Sequence, residues 1–494
     1  MKRLLPRLVK VIGPGIALYF LLFHGLADVA FLSADEPRYA SVGRAMAQSG
    51  DWITPRLNNE PWFEKPPLLY WMTATAWRFG LRDELAARLP VALLSAAFLI
   101  FFYFRLRRDF GHAPALTSAS ILATSVGWVV FSNVAVTDLP LATCLSIAML
   151  LALPPPAGTA RPLPLATGLF LGLAMLAKGL VPAVLALPAL YFWRAQWRRI
   201  LIVAFIAAAV VLPWFLLATA RNGPQPWNEL ILKHHFARFF GGEIHHERPF
   251  WFYVPVLLGG LLPWTPALIA LRPRPNADHP WTDPRLQYLA AWAAFGFLFF
   301  SVSTNKLPGY LLPILPPLAA LMGIRWAGRA LNWICLAVAL SLFLIARLLL
   351  PEALIGGITN MHVAGLAFQD LAIMALILLV CLLGVLFNSW RRGPLTVVQV
   401  AVATAVVLML VKALEYEQID NLTSGRKFYR ELGKLRSDVC IETIDRDWRY
   451  SLDYYAEPRI PDCETVPRKW MIVQDPEMRR PELRRRVSNP PVVP

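Results

Sequence analysis

The sequence predicts an all-α polytopic membrane protein with a small α/β domain at its C-terminal end. Composition, recurring apolar runs and the placement of basic residues predict this class. Of the 494 residues, 57% are apolar and 16% are charged, and the mean hydropathy is +0.49. A soluble domain carries about 25% charged residues, so this composition requires a lipid environment.

Apolar runs that are long enough to cross a bilayer recur as far as residue 412. A membrane-spanning helix needs about 20 apolar residues, and on that criterion the chain has about thirteen spans. The first is expected near 11–29; a secretory signal is the alternative, but the many later spans favour a retained helix. The others are expected near 88–104, 114–132, 138–153, 163–178, 180–193, 200–219, 251–271, 287–303, 308–323, 331–350, 366–387 and 395–412.

Basic residues determine the predicted orientation. The net charge is +16, which on its own would suit nucleic-acid binding. The basic residues instead form short clusters between apolar runs, as the positive-inside rule describes, so we expect no nucleic-acid partner. The clusters on the side of the N-terminus, which that rule makes cytoplasmic, are Arg105/Arg107/Arg108, Arg161, Arg194/Arg198/Arg199, Arg272/Arg274, Arg325/Arg329 and Arg391/Arg392.

Two domains follow from this topology. Residues 1–412 form the membrane domain, which includes a large external loop at 30–87 with helices lying on the membrane surface. Residues 413–494 form a polar C-terminal domain, placed outside by the odd number of spans. Its segment Arg449–Tyr455 suggests a strand or a mixed α/β fold. In an oxidising compartment Cys440 and Cys463 could form a disulfide; two free thiols are the equally weighted alternative.

The first cluster of chemical interest follows the first span, at Asp35-Glu36-Pro37-Arg38-Tyr39. Two adjacent carboxylates at a membrane surface could supply a general base that takes a proton from an acceptor. Helix capping is the alternative, with Asp35 as the N-cap and Pro37 in the first turn. The helix that follows would place Tyr39, Val42 and Met46 on one face.

The second and third clusters suggest a phosphate site and a metal site. Lys65, beside Glu64 and two prolines, could hold a phosphate, although Trp, Tyr and Lys also serve as interfacial anchors. The loop that contains His235 and Arg238 is rich in His and Glu, which suit Zn²⁺ or another divalent metal. Glu64 could complete such a site; a solvated polar loop is the alternative.

The fourth cluster lies between two spans, at Lys306-Leu307-Pro308-Gly309-Tyr310. An unpaired lysine there would be costly, so a phosphate or an acidic partner is expected, with snorkelling to the interface as the alternative. Asp138 and Lys178 are lone charges at the ends of spans and could pair with each other or join the site. All four clusters fall on one predicted face, where together they suggest a cationic, aromatic basin.

These clusters carry a resemblance to a known family. The segments ADEPRYA (34–40), FEKPPLLYW (63–71), VTDLP (136–140), LAKG (176–179), HHFARF (234–239), RPFWFY (248–253), LLPW (261–264) and KLPGYLLP (306–313) resemble those of the aminoarabinose lipid A transferases. They also resemble the related bacterial protein O-mannosyltransferases, within the C-type membrane glycosyltransferases. The match runs in order from about residue 30 to 320, and Trp62 stands where the family usually has Tyr.

The resemblance implies a fold of about thirteen membrane helices, external surface helices and a C-terminal periplasmic domain. It implies a sugar donor linked to undecaprenyl phosphate and inversion at the anomeric carbon. Asp35 falls on the family's proposed base, and Glu64 and His235 on its metal positions. The positions associated with the donor phosphate and its pocket are Arg38, Lys65, Lys306 and Tyr310.

We therefore expect an inner-membrane glycosyltransferase with Asp35 and Glu36 as catalytic carboxylates. The acceptor is lipid A or another cell-envelope glycan, with a protein as the alternative; a lipid or sugar transporter is the rival class. A divalent metal such as Zn²⁺ is expected, but no nucleotide, because no P-loop or dinucleotide glycine pattern occurs. We expect a monomer among membrane lipids. The residues expected to bind substrate are Arg38, Tyr39, Lys65, Asp138, Lys178, Arg238, Lys306 and Tyr310.

Overall fold

The computed structural model describes residues 15–237, 248–272, 280–326, 328, 330–342, 395–475 and 480–486. Most of this part is helical. The helices of the N-terminal half are α1 (15–22), α2 (Asp35–Ser49), α3 (Leu68–Arg78), α4 (Asp83–Phe110), α5 (His112–Thr124), α6 (Val126–Ser132), α7 (Asp138–Leu151), α8 (Ala166–Lys178), α9 (Val181–Leu185), α10 (Leu187–Trp193) and α11 (Trp197–Asn222).

The remaining elements continue the bundle and build the C-terminal domain. A π-helix covers Trp227–Ala237, and 3-10 turns cover Phe250–Phe252, Thr265–Leu271 and Pro308–Ile314. The later helices are α12 (Tyr253–Gly260), α13 (Pro284–Val302), α14 (Leu315–Ile324), α15 (Ala330–Leu342), α16 (Val397–Thr423), α17 (Gly425–Glu431) and α18 (Arg446–Tyr455). The strands are β1 (Arg56–Leu57), β2 (Glu60–Pro61), β3 (Val439–Thr443), β4 (Trp470–Val473) and β5 (Glu482–Arg485).

Within the described residues, four helices are long and apolar enough to cross a membrane, or six if two bent pairs each count as one span. The bent pairs are α5 with α6, at 61°, and Phe250–Gly260 with Thr265–Leu271, at 104°. Several other predicted spans are shorter apolar helices. A count of thirteen stays a prediction, and the span expected at 366–387 lies outside the described residues.

The predicted external loop contains two helices that pack on each other. Tyr39, Val42 and Met46 of α2 are buried, as the predicted amphipathic pattern requires. Gly43 lets α3 approach closely, because a Cβ at that position would lie 2.6 Å from the side chain of Thr73. The two helices therefore form one rigid unit above the membrane helices.

A buried ion pair ties this unit to the first long span. Arg88 of α4 donates to both carboxylate oxygens of Glu36 at 2.6 Å, and to the carbonyls of Leu26, Val29 and Ala30. Both side chains are almost fully buried. Because every donor and acceptor has a partner, this pair fixes the start of α2 relative to α4.

The C-terminal domain is a small α/β unit with its own core. Strand β4 pairs with β3 in parallel and with β5 in antiparallel orientation. Cys440 and Cys463 form a disulfide, which selects one of the two alternatives left open by the sequence. The core includes Phe428, Val439, Ile441, Trp448, Leu452, Ala456, Ile460 and Ile472.

Of the two alternatives for Arg449–Tyr455, the strand is wrong, because this segment belongs to helix α18; the domain around it is a mixed α/β unit. The buried residues of the helix, Trp448, Ser451, Leu452 and Tyr454, recur at helical spacing. Aromatic residues favour strands in isolation. Here the burial of one helical face against the domain core decides the structure.

Candidate active site

A cavity of about 850 Å³ lies between the surface helices, the ends of the membrane helices and the C-terminal domain. Its residues come from the start of α2, the segment before α3, the start of α7, the end of α8, the π-helix, the loop after α13 and helix α18. Segments far apart in sequence thus meet at one end of the bundle. All four predicted clusters contribute described residues to this cavity, the third of them through Lys233.

Arg38 is the centre of the site. Its guanidinium donates to Glu64 Oε2 at 2.9 Å and to the Ala34 carbonyl at 3.1 Å, and it also binds the carboxylate of Asp35. The Arg38 side chain is buried, whereas the Asp35 side chain is 37% exposed. Arg38 is therefore fixed in the wall, and Asp35 remains accessible to a molecule in the cavity.

The expected cap at Asp35 is not formed. Helix α2 begins at Asp35 itself, its N-cap is Ala34, and no side chain accepts a capping hydrogen bond there. The ion pair with Arg38 takes the place of the cap. Its acidic side chain still lies in the first turn, where the helix dipole favours a negative charge.

Three aromatic rings surround the Arg38 guanidinium. The ring centres of Tyr39, Trp62 and Tyr450 lie 5.8, 5.9 and 5.1 Å from it. The indole nitrogen of Trp62 is buried and has no hydrogen-bond partner among the described residues. Because Trp62 lines the cavity, this nitrogen is a candidate donor to a polar ligand.

Glu64 connects Arg38 with Lys65. The Lys65 ammonium donates to Glu64 Oε1 at 2.9 Å, while Arg38 binds the other oxygen. All three side chains line the cavity. The carboxylate therefore holds two cations side by side, which is an arrangement that can bind a phosphate group.

A second ion pair completes this wall of the cavity. Lys178, at the end of α8, donates to Asp138 Oδ1 at the start of α7 over 2.6 Å, and its ammonium lies 4.4 Å from the ring centre of Tyr310. A Cβ at Gly309 would lie 2.7 Å from the Asp138 carboxylate, so only glycine fits there. The predicted pairing of Asp138 with Lys178 is confirmed, and the pair also lines the cavity.

The predicted pairing of two catalytic carboxylates is not formed. Glu36 is 1% exposed and is bound by Arg88 and by the backbone N–H groups of Leu32 and Ala135. Its neighbour Asp35 lies on the cavity side of α2. Successive residues of a helix point about 100° apart, so only one of the two can face the cavity. Glu36 positions the helix instead.

Lys306 also differs from the prediction. Its ammonium donates to the carbonyls of Ser303 and Arg248, its side chain is buried, and it does not line the cavity. Burial lowers the pKa of Lys306 from its ordinary value. Backbone carbonyls thus replace the expected phosphate or acidic partner, and Lys178 occupies the cavity wall near Tyr310.

The expected cationic basin is wrong for the described lining residues. They include five lysines and arginines (Arg38, Lys65, Lys178, Lys233 and Arg446) and six carboxylates (Asp35, Glu60, Glu64, Asp138, Glu229 and Asp447). Three of these carboxylates hold cations in place. The sequence pattern shows where charges cluster, but not which of them neutralise one another.

The described residues do not by themselves form the expected metal site. They contain no group of three His, Cys, Asp or Glu side chains that could hold an ion. Both oxygens of Glu64 are bound by Arg38 and Lys65. The side chain of His235 and the whole of Arg238 lie outside the described part of the chain. The metal therefore stays a prediction, and no step below uses it.

Several lining residues carried no sequence signal. Glu229 of the π-helix accepts from the Phe63 N–H at 3.2 Å and from Gln225 at 2.9 Å, which connects the π-helix to the segment before α3. Arg446, Asp447 and Tyr450 come from the C-terminal domain. Their proximity arises from tertiary packing between segments more than 150 residues apart, so no local motif could reveal it.

Asp447 is a second carboxylate near Asp35. The surrounding protein reduces its solvation and raises the pKa of Asp447, and the negative charge of Asp35 raises it further. A raised carboxyl pKa in a cleft is a feature of functional sites. Asp447 is therefore a candidate contact for the substrate.

An apolar recess of about 100 Å³ adjoins the cavity. It shares Glu64, Lys65, Asp138, Lys178 and Tyr310 with the larger cavity. Its other walls include Leu141, Val181, Leu230, Phe299 and Phe300. A polar chamber next to an apolar recess at the end of membrane helices suits an amphiphile with a charged headgroup.

Comparison with known proteins agrees with this geometry. Residues 64–220 match the family described as dolichyl-phosphate-mannose-protein mannosyltransferase. The chain is 34% identical over 353 residues to an undecaprenyl phosphate-alpha-4-amino-4-deoxy-L-arabinose arabinosyl transferase of Sodalis glossinidius, covering 66% of this chain and 62% of the relative. The counterpart in Pseudomonas paraeruginosa is 33% identical over 303 residues, covering 58% and 54%.

The chain resembles the aminoarabinose transferases, as its motifs predicted. The aligned part spans a little over half the length of these relatives. In three dimensions, ArnT from Cupriavidus metallidurans bound to undecaprenyl phosphate superposes with a TM-score of 0.72 at 24% identity, covering 92% of this chain and 90% of that one. The apo form superposes with a TM-score of 0.69. This chain therefore has the fold of that transferase.

Proposed function

We propose that this protein transfers an aminoarabinose-type sugar from undecaprenyl phosphate to lipid A, or to another cell-envelope glycan, at the outer face of the inner membrane. The observation that carries the proposal is the meeting of Asp35, Arg38, Lys65 and Lys178 around one cavity beside an apolar recess. The names of the similar proteins support the choice of sugar and carrier.

In this mechanism the cations hold the phosphate of the carrier. Beyond the carboxylate that orients it, Lys178 has two further N–H donors, whereas Lys65, which also donates to the Glu64 carbonyl at 3.4 Å, has one. Arg38 stands between them and Asp35. As the bond from the anomeric carbon to the phosphate oxygen breaks, the electron pair passes to the phosphate, and these cations stabilise the developing charge.

Asp35 acts on the acceptor. Its carboxylate takes the proton of the acceptor O–H while the acceptor oxygen forms the new bond to the anomeric carbon. Attack from the side opposite the departing phosphate inverts that carbon. The products are the glycosylated acceptor and free undecaprenyl phosphate, and the proton remains on Asp35 until it is released to water.

Orientation follows from the same proposal. The cavity lies at the end of the bundle opposite Arg105, Arg161, Arg199 and Arg325, which the positive-inside rule places in the cytoplasm. The disulfide between Cys440 and Cys463 in the domain above the cavity suits an oxidising compartment. We therefore place the N-terminus in the cytoplasm and the C-terminal domain in the periplasm.

A direct assay tests the function. Purified full-length protein in nanodiscs is incubated with synthetic undecaprenyl phosphate aminoarabinose and lipid A, and mass spectrometry of the lipid A measures the added sugar. NMR of the product determines the anomeric configuration. We expect one added aminoarabinose with inversion. Donor binding without transfer to any glycan, lipid or peptide acceptor would favour the transporter class.

A further inference from the structure

A second cavity of about 630 Å³ lies on the other side of α2. It shares no described lining residue with the first cavity. Its walls come from the second half of α2, the link between α3 and α4, helix α17 and the end of α18. Its lining carries an excess of positive charge, with three carboxylates (Asp83, Glu84 and Glu457) and five arginines: Arg44, Arg82, Arg426, Arg430 and Arg436.

Three of these arginines have no carboxylate partner among the described residues. Arg44 pairs with Glu457, and Arg426 pairs with Glu84 and Asp420. By contrast, Arg82 and Arg436 donate only to backbone carbonyls. The Arg430 side chain has no hydrogen-bond or ion-pair partner among the described residues. Like charges around one concave surface attract an anion.

Aromatic rings hold two of these guanidinium groups in place. Arg82 lies 4.6 Å from the ring centre of Trp77, and Arg436 lies 4.3 Å from that of Tyr429. Stacking orders the planar group but leaves its N–H donors free at the edge. An ordered guanidinium with free N–H groups matches the geometry of a phosphate.

The depth of the cavity points to a lipid headgroup. Arg82 immediately precedes α4, which begins at Asp83 and is long and apolar enough to span the membrane. Phe79, three residues before Arg82 in the same link, is 84% exposed. An exposed aromatic residue beside arginines at the end of a span is typical of the membrane interface.

We propose that this second cavity binds the phosphate headgroup of an anionic membrane lipid at the outer surface. Arg82, Arg430 and Arg436 provide the N–H donors, and Phe79 contacts the adjacent acyl region. The site is separated from the sugar-transfer cavity by helices α2 and α18, and the proposal does not depend on the transfer reaction.

Lipid counting tests this proposal. Full-length protein in a neutral detergent is titrated with dioctanoyl phosphatidic acid, and native mass spectrometry counts the bound lipids. We expect Arg82→Gln/Arg436→Gln to bind one lipid fewer than wild type at concentrations that saturate wild type. The matched control is Arg194→Gln/Arg198→Gln, two exposed arginines that also stack on aromatic rings at the other end of the bundle; it should bind as many lipids as wild type.

A further variant and a competition experiment test the site and the identity of its ligand. Among the described residues the Arg430 side chain forms no ion pair or hydrogen bond, so Arg430→Gln should weaken binding several-fold without loss of thermal stability. Inorganic phosphate at millimolar concentration should not displace the lipid; equal competition would overturn the assignment to a membrane lipid. An unchanged lipid count in Arg82→Gln/Arg436→Gln, or an equal loss in the control, would overturn the site.

Discussion

The guanidinium of Arg38 lies 5.1 Å from the ring centre of Tyr450, so that the surface helix α2 and helix α18 of the C-terminal domain meet over the candidate active site. The contact joins residues that are more than 400 positions apart. The C-terminal domain therefore contributes to the wall of the cavity, and its helix α18 is part of the proposed catalytic machinery.

Replacement of Tyr450 tests this contact. Tyr450→Ala removes the ring that covers Arg38, and cation–π interactions of this kind contribute about 0.5–2 kcal/mol, so kcat/KM should fall about 2- to 30-fold. Tyr450→Phe keeps the ring and should retain most of the activity. Steady-state transfer kinetics measure both variants; equal activity of Ala, Phe and wild type would remove Tyr450 from the site.

Lys178 and Lys306 provide a matched pair of lysines. Lys178→Gln removes a cavity cation, and because a hydrogen bond to a charged group contributes about 1.5–3 kcal/mol, the KM for the donor should rise roughly tenfold or more. Lys306→Gln should lower the thermal midpoint and leave the donor KM nearly unchanged, because Lys306 binds backbone carbonyls. The reverse pattern would show that the phosphate lies at Lys306.

The unpartnered indole nitrogen of Trp62 should bind substrate. Trp62→Phe keeps an aromatic ring near Arg38 but removes the N–H donor. A neutral hydrogen bond contributes about 1 kcal/mol. We expect a several-fold lower kcat/KM at an unchanged thermal midpoint. A lower midpoint with unchanged kcat/KM would give Trp62 only a packing role.

Asp447 predicts a dependence of stability on pH. Its pKa is raised, so the folded state disfavours the charged form of the carboxyl group. The resulting loss of folding stability grows as the pH rises through the pKa. Asp447→Asn should therefore raise the thermal midpoint at neutral pH, and the gain should shrink as the pH falls below the raised pKa. A gain that is the same at acid and neutral pH would contradict the assignment.

The buried pair of Glu36 and Arg88 should dominate local stability. Glu36→Gln leaves Arg88 buried without its counter-charge, and breaking a buried pair costs about 3–5 kcal/mol. We expect a strongly lowered thermal midpoint, with loss of transfer that follows the loss of folded protein. An unchanged midpoint with abolished transfer would instead return Glu36 to the chemistry.

The most predictable part of the site was the set of motifs that contain proline or glycine, or a charged residue that is costly to bury. Asp35, Arg38, Lys65, Asp138, Lys178 and Tyr310 all line one cavity, as their placement on one face predicted. The sequence could not show which charges neutralise one another. Glu36 pairs with an arginine 52 residues away, and Lys306 donates to two backbone carbonyls. These partners become visible only in the packed structure.

The fold, like the site, could be predicted from the sequence only in part. Apolar runs predicted the long helices well, because burial in lipid requires about 20 apolar residues and satisfied backbone hydrogen bonds. They could not predict the bends of 61° and 104° in two pairs of helices, since those depend on packing against neighbours. Tertiary burial likewise made Arg446–Tyr455 a helix despite its aromatic, strand-like composition.

The most direct test of the whole account is sugar transfer by Asp35→Asn, measured beside donor binding in the same preparation. A matched control is Asp51→Asn, a carboxylate in the same external loop that pairs with Arg221 outside the cavity. We predict that Asp35→Asn still binds undecaprenyl phosphate but transfers sugar at least about 100-fold more slowly, as expected for loss of a general base, while Asp51→Asn stays near wild type. Transfer by Asp35→Asn at the wild-type rate would contradict it.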